Sequence, residues 1–235
     1  MARTEVTIPA GGARLTAAFE PAGAGDALAI FAHGSAACRH DARHRQVAEV
    51  LRRAGIGTLL VDLLTHHEEV DARTNGRIRF DVELLAARLE DATRWARTHC
   101  SSGRGLAIGY LGASTGAAAA LAAAARFGEG IGAVVSRSGR PDLAGPSALG
   151  QVTAPTLLIV GALDYRVIDM NEAAYEELAC EKDLVLVPDA GHHFDEPLAL
   201  PRVAALAADW FRRHLLGAAE GWTQRPAAVQ AGKGR

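Results

Sequence analysis

Six short apolar runs recur along the chain: residues 28–32 (LAIFA), 57–62 (GTLLVD), 106–111 (LAIGYL), 131–135 (IGAVV), 156–161 (TLLIVG) and 184–187 (LVLV). Each is rich in Leu, Ile and Val and shows little polar alternation. A strand with one wet face alternates; a continuous apolar run belongs to a strand covered on both faces, as in a parallel sheet. Helical spacing fills the gaps. In residues 80–95 the side chains Phe80, Leu84, Leu85, Leu89, Ala92 and Trp95 share one stripe, with Glu83, Arg88, Glu90 and Arg94 largely opposite. Residues 203–216 behave likewise through Val203, Leu206, Ala207, Trp210 and Leu215, and the alanine-rich run after Gly116 is apolar all round. Strand and helix in alternation predict an α/β domain with a doubly wound, mostly parallel sheet. Two shorter β-like pieces, 5–8 and 14–19, flank Gly11-Gly12 and predict an N-terminal antiparallel hairpin.

At 235 residues with 49 % hydrophobic content the chain suits one such domain. That domain is expected over 1–216, with residues 217–235 losing periodicity as a flexible C-terminal tail. The 25 basic residues against 27 acidic ones offer no basic excess for nucleic acid or an anionic membrane. No run approaches the roughly 20 apolar residues that span a bilayer, and the start MARTEVTIPAGG lacks the pattern of a secretory signal. Cys38, Cys100 and Cys180 are odd in number and far apart, fitting neither a disulfide framework nor a zinc site. The expected setting is the cytoplasm, the expected partner a small molecule rather than nucleic acid or membrane, with no cofactor and no metal.

The chemistry concentrates where strands end. Gly112-Ala113-Ser114-Thr115-Gly116 follows an apolar strand and opens a helix-forming run. This is the G-x-S-x-G nucleophile elbow in the strand–turn–helix context the motif requires. Its glycines leave room for a tight turn, and the helix N-terminus beneath the serine favours developing negative charge. After TLLIVG comes Asp164; after LVLV comes Pro188-Asp189-Ala190-Gly191-His192-His193-Phe194. Taken singly, Asp164 reads equally as a turn residue and His192 as a loop histidine. In a parallel sheet, however, all C-terminal strand ends share one edge, where ligands bind. Ser114, Asp164 and His192 then meet, in the order serine, acid, histidine. His193 competes as the base; His192 is preferred because it directly follows Gly191. Phe31-Ala32-His33-Gly34-Ser35 closes another strand, and a loop there can give a backbone N–H to an oxyanion hole. Ser35, with Ala36 as the alternative, would pair with Thr115 in that role, while His33 shapes the loop.

Other polar clusters read differently. His66-His67-Glu68-Glu69 is expected to be a polar loop and lacks H-E-x-x-H spacing. His40, Arg43, His44 and Arg45 are expected on the solvated face of a helix. Arg137 and Arg140 follow the strand IGAVV and could bind an anionic substrate group, or could equally serve a structural pair to Asp142 or a nearby carboxylate.

These stretches (FAHGS, VDLL, GYLGASTGAAAAL, VVSRSGRPDLAG, APTLLIVGALD and the GHHF ending) resemble the α/β-hydrolase superfamily, in particular its dienelactone hydrolase-like branch. The likeness runs from about residue 28 to residue 215. It implies the α/β-hydrolase fold without a large lid domain, and a hydrolase of small carboxylic esters or lactones working through an acyl-enzyme. Dienelactone hydrolases proper use a cysteine nucleophile; Ser114 stands in its place here, which favours a serine esterase. A thioesterase or acyltransferase would use the same three residues, and a catalytically silent ligand-binding module would use none of them.

Overall fold

The computed structural model describes residues 3–22, 26–33, 38–100 and 105–217. Its core is one eight-stranded sheet. The strands are β1 (Thr4–Ala10), β2 (Ala13–Glu20), β3 (Ala27–His33), β4 (Gly57–Val61), β5 (Ala107–Ala113), β6 (Ala133–Arg137), β7 (Thr156–Gly161) and β8 (Lys182–Val187). Their order is β1-β2-β4-β3-β5-β6-β7-β8. β1 and β2 form the antiparallel hairpin, β2 joins β4 antiparallel, and every pairing from β4 to β8 is parallel. The antiparallel ribbon therefore extends one edge, and six strands point their C-terminal ends at a common rim.

The helices are α1 (Ala42–Arg53), α2 (His66–Asn75), α3 (Val82–His99), α4 (Thr115–Phe127), α5 (Pro146–Gln151), α6 (Tyr165–Glu177) and α7 (Ala199–Leu215). Strand side chains alternate between two apolar layers because successive Cβ atoms point to opposite faces. Along β3, Leu28, Ile30 and Ala32 join Leu85 and Leu89 of α3 and the alanines of α4 in one layer. Ala27, Ala29 and Phe31 join Val47 and Leu51 of α1 and Val203, Trp210 and Phe211 of α7 in the other. Covering both faces explains the unbroken apolar runs. Truncating Phe211, fully buried in its layer, would cost about 3–5 kcal/mol.

Two local expectations are corrected. Residues 66–75 are helical, not a loop: the Thr65 hydroxyl accepts from the Glu68 amide at 3.3 Å while the Glu68 carboxylate accepts from the Thr65 amide at 2.8 Å. This reciprocal cap satisfies two orphan donors and starts a helix that has almost no apolar stripe. Arg88 then reaches across from α3 to hold Glu68 with two contacts of 2.6 and 2.7 Å. Phe80 is the other correction. It lies in a 3-10 turn before α3 and is 60 % exposed. Asp81 caps the helix one residue later by accepting from the Leu84 amide, so the buried stripe begins at Leu85. Almost all of the expected tail, residues 218–235, lies outside the described residues. Among the described residues no helix is long and apolar enough to cross a membrane.

Candidate active site

Ser114 occupies the single-residue joint between β5 and α4, with φ 53° and ψ −129°. For a residue with a Cβ this backbone is strained by about 1–3 kcal/mol and persists only where surroundings over-determine it. Here they do. A Cβ on Gly112 would stand 2.4 Å from the Ala117 Cα, and one on Gly116 only 2.2 Å from the Ala32 carbonyl oxygen. Both glycines thus let α4 press directly against β5 and the end of β3. The Ser114 carbonyl accepts from the Arg140 amide at 3.0 Å and the Ala117 amide at 3.1 Å, so the loop after β6 clamps the strained joint. The Ser114 side chain faces a cavity of about 210 Å³.

Asp164 follows β7 and His192 follows β8, and His192 lines the same cavity. The His192 Nδ1 donates to Asp164 Oδ2 at 2.6 Å. A carboxylate can only accept, so the pair fixes the tautomer and leaves Nε2 as the acceptor of the ring. Their loop is braced by the Gly191 amide on Glu196 Oε1 (2.9 Å), by the Leu163 amide on the Ala190 carbonyl (3.0 Å), and by the buried Phe194. His192 and Ser114 line one cavity. His193 lines it too, but is exposed, its ring edge-on to that of His192 at 4.9 Å. Among the described residues it makes no hydrogen bond with a carboxylate, which separates the two neighbours as sequence order alone could not.

The opposite wall is cationic. Arg43, Arg137 and His33 face the same space. Arg43 hydrogen-bonds Asp41, which raises the guanidinium above its ordinary value. Burial would push the Asp41 carboxyl up, but the Arg43 hydrogen bonds hold it well below the carboxylate range. Arg137 is 6 % exposed at the end of β6. Arg140, by contrast, turns to Asp142 and grips both its oxygens at 2.7–3.2 Å, away from the cavity lining. His44 overturns an expectation: it is 1 % exposed, not on a solvated face. Its Nε2 lies 3.2 Å from Arg137 Nη2, a partner 93 residues away that polarity patterning could not reveal. Thr115 is buried at the first position of α4, where a helix amide has no intrahelical acceptor. Ser35 and Ala36 lie outside the described residues.

The fold that carries this site has a counterpart of known structure. Dienelactone hydrolase from Anabaena variabilis is 50 % identical and superposes with a TM-score of 0.86, over 91 % of this chain and 98 % of that one. The chain belongs to the dienelactone hydrolase family. It accordingly has the α/β-hydrolase fold. Est1E from Butyrivibrio proteoclasticus, 16 % identical with a TM-score of 0.75 over 90 % of this chain and 99 % of its own, shares the fold. A Mycobacterium tuberculosis protein that bears a provisional phosphoribosyl transferase name is 53 % identical over 190 residues. That match covers 81 % of this chain but only 42 % of the curated relative. No family model matches the chain.

Proposed function

We propose that this dienelactone hydrolase-family member is a serine hydrolase that cleaves small carboxylic esters or lactones through an acyl-enzyme. The observation that carries the reading is the Asp164–His192 hydrogen bond at 2.6 Å, set beside a strained Ser114 in one cavity. Ser114 Oγ attacks the carbonyl carbon while His192 Nε2 takes its proton. Asp164 stabilises the resulting imidazolium without accepting the proton itself. The oxyanion forms at the N-terminus of α4, where the Thr115 amide donates; the Ser35 amide is the second donor. Each such donor contributes about 3–4 kcal/mol in comparable sites. His192 returns its proton to the leaving alcohol, whose C–O bond breaks. Water, deprotonated by His192, then releases the acid and regenerates Ser114. Arg137 is the contact for an anionic substrate group.

Substrate size follows from the roof. Between β6 and β7 the chain builds only a 3-10 turn, Pro141–Ala144, and the six-residue α5. Such a segment covers little acyl chain, and each buried CH₂ adds at most about 0.8 kcal/mol. A panel of p-nitrophenyl esters from C2 to C16, with small lactones and thioesters, tests both points through kcat/KM. The expected maximum is at C2–C4 or on lactones. A maximum at C10 or beyond contradicts the open site, and a preference for thioesters reassigns the reaction class.

A further inference from the structure

Behind the cavity wall, against Arg137, lies a histidine that the acyl-enzyme chemistry does not use. His44 sits on α1, 1 % exposed, with its ring edge-on to His33 at 4.8 Å and to Phe31 at 6.0 Å. Its Nε2 is 3.2 Å from Arg137 Nη2. A guanidinium has five donors, no acceptor, and stays protonated in proteins. Nε2 must therefore accept. The ring is then neutral, with its proton on Nδ1, because a protonated Nε2 would point a second donor at the arginine. Arg137 is 6 % exposed and lines the cavity with Ser114. A buried cation aimed into a reaction cavity needs something to fix its direction, since guanidinium recognition depends on the orientation of its planar fork.

We infer that His44 is a positioning residue: it accepts from Nη2 and thereby aims Arg137 at an anionic group of the substrate beside Ser114. This rests on the ester hydrolase reading above, and concerns the part of the substrate that does not react. Because the group contacted is remote from the carbonyl, its loss weakens ground state and transition state alike and shows in KM more than in kcat.

The test compares a neutral ester, p-nitrophenyl acetate, with an anionic one, the p-nitrophenyl monoester of succinic acid. His44→Leu removes the acceptor; His44→Gln offers an amide oxygen at similar reach. His44→Leu is expected to raise KM for the anionic ester about 10-fold or more, the scale of one hydrogen bond to a charged group. The neutral ester should change by less than about 2-fold, and His44→Gln should recover most of the loss. Equal effects on both esters, or no effect on either, overturn the inference. Long-range ¹H–¹⁵N correlation on the unsubstituted protein reads the same claim without turnover. The expected signal is the Nδ1–H tautomer of His44, lost as a fixed form in Arg137→Met. An Nε2–H tautomer, or a signal that Arg137→Met leaves unmoved, overturns it even where His44→Leu fails to fold. If neither ester is hydrolysed while the tautomer is as stated, the esterase reading fails and the His44–Arg137 geometry stands.

Discussion

His192 lines the cavity, whereas His44 is buried behind it against Arg137, and their partners are chemical opposites. His192 donates through Nδ1 to a carboxylate; His44 accepts through Nε2 from a guanidinium. The carboxylate fixes the ring with Nε2 as its acceptor, which suits His192 to the base role proposed for it. The guanidinium penalises an imidazolium, so the His44 side is built to stay neutral and hold a cation still. Burial agrees with this division: the His192 side chain is 39 % exposed and reachable by solvent, whereas His44 is sealed beneath Phe31 and His33. A histidine's task is thus decided by the charge it is paired with and by access to water, not by its presence near a cavity.

The contrast is broken most strongly at the proton-transfer end. His192→Ala should lower kcat by about 10³-fold or more, while His193→Ala, exposed and lacking the carboxylate, should lower it less than 10-fold; steady-state kinetics on a short ester reads both. The reverse ranking would mean that the base is the outer histidine.

The joint that carries Ser114 depends on close backbone approach rather than on charge, and Gly116→Ala probes that. Its Cβ would meet the Ala32 carbonyl at 2.2 Å, a backbone atom that cannot swing aside. The expected loss is about 3 kcal/mol of unfolding free energy, measured by denaturant titration. A change below about 0.5 kcal/mol would show that α4 is not wedged against β3.

The smallest effect is expected away from the site, where Glu68 and Arg88 form a carboxylate–cation pair with no proton-transfer task. The Arg88 hydrogen bonds lower the Glu68 carboxyl from its ordinary 4.5 to about 2. The sign follows from linkage. A depressed carboxyl stabilises the fold above its unfolded value, and that contribution fades as pH falls from about 4.5 through about 2. Solvent around the carboxylate screens the pair. The stability difference between the unsubstituted protein and Glu68→Gln should shrink steadily from pH 6 to pH 2 in thermal melts. A difference independent of pH would contradict the pairing.

The proton-transfer end was legible in the sequence because its parts are anchored to strand ends. The glycines of 112–116, the aspartate after TLLIVG and the histidine after Gly191 each follow an apolar run that specifies a parallel strand. The wall was not legible. His44 lies in ARHRQVAEVLRR, whose polar character predicts a wet face. Only the fold shows that this turn of α1 abuts the end of β6. The helix at 66–75 escaped for the converse reason: it has a cap but no periodicity, and Thr65-x-x-Glu68 was its only signal. Phe80 continues the apolar stripe of the sequence, but Asp81, as the cap of α3, cuts that stripe off one residue later. Local motifs and strand ends are written in short stretches; pairings across 93 residues are not.

The central claim is that Ser114 is the nucleophile. Incubation with a fluorophosphonate, followed by peptide mass spectrometry, tests it without knowledge of the substrate. One covalent adduct is expected, on Ser114, slowed by His192→Ala and absent in Ser114→Ala. A native protein that stays unlabelled, or an adduct on another residue that survives Ser114→Ala, would contradict it.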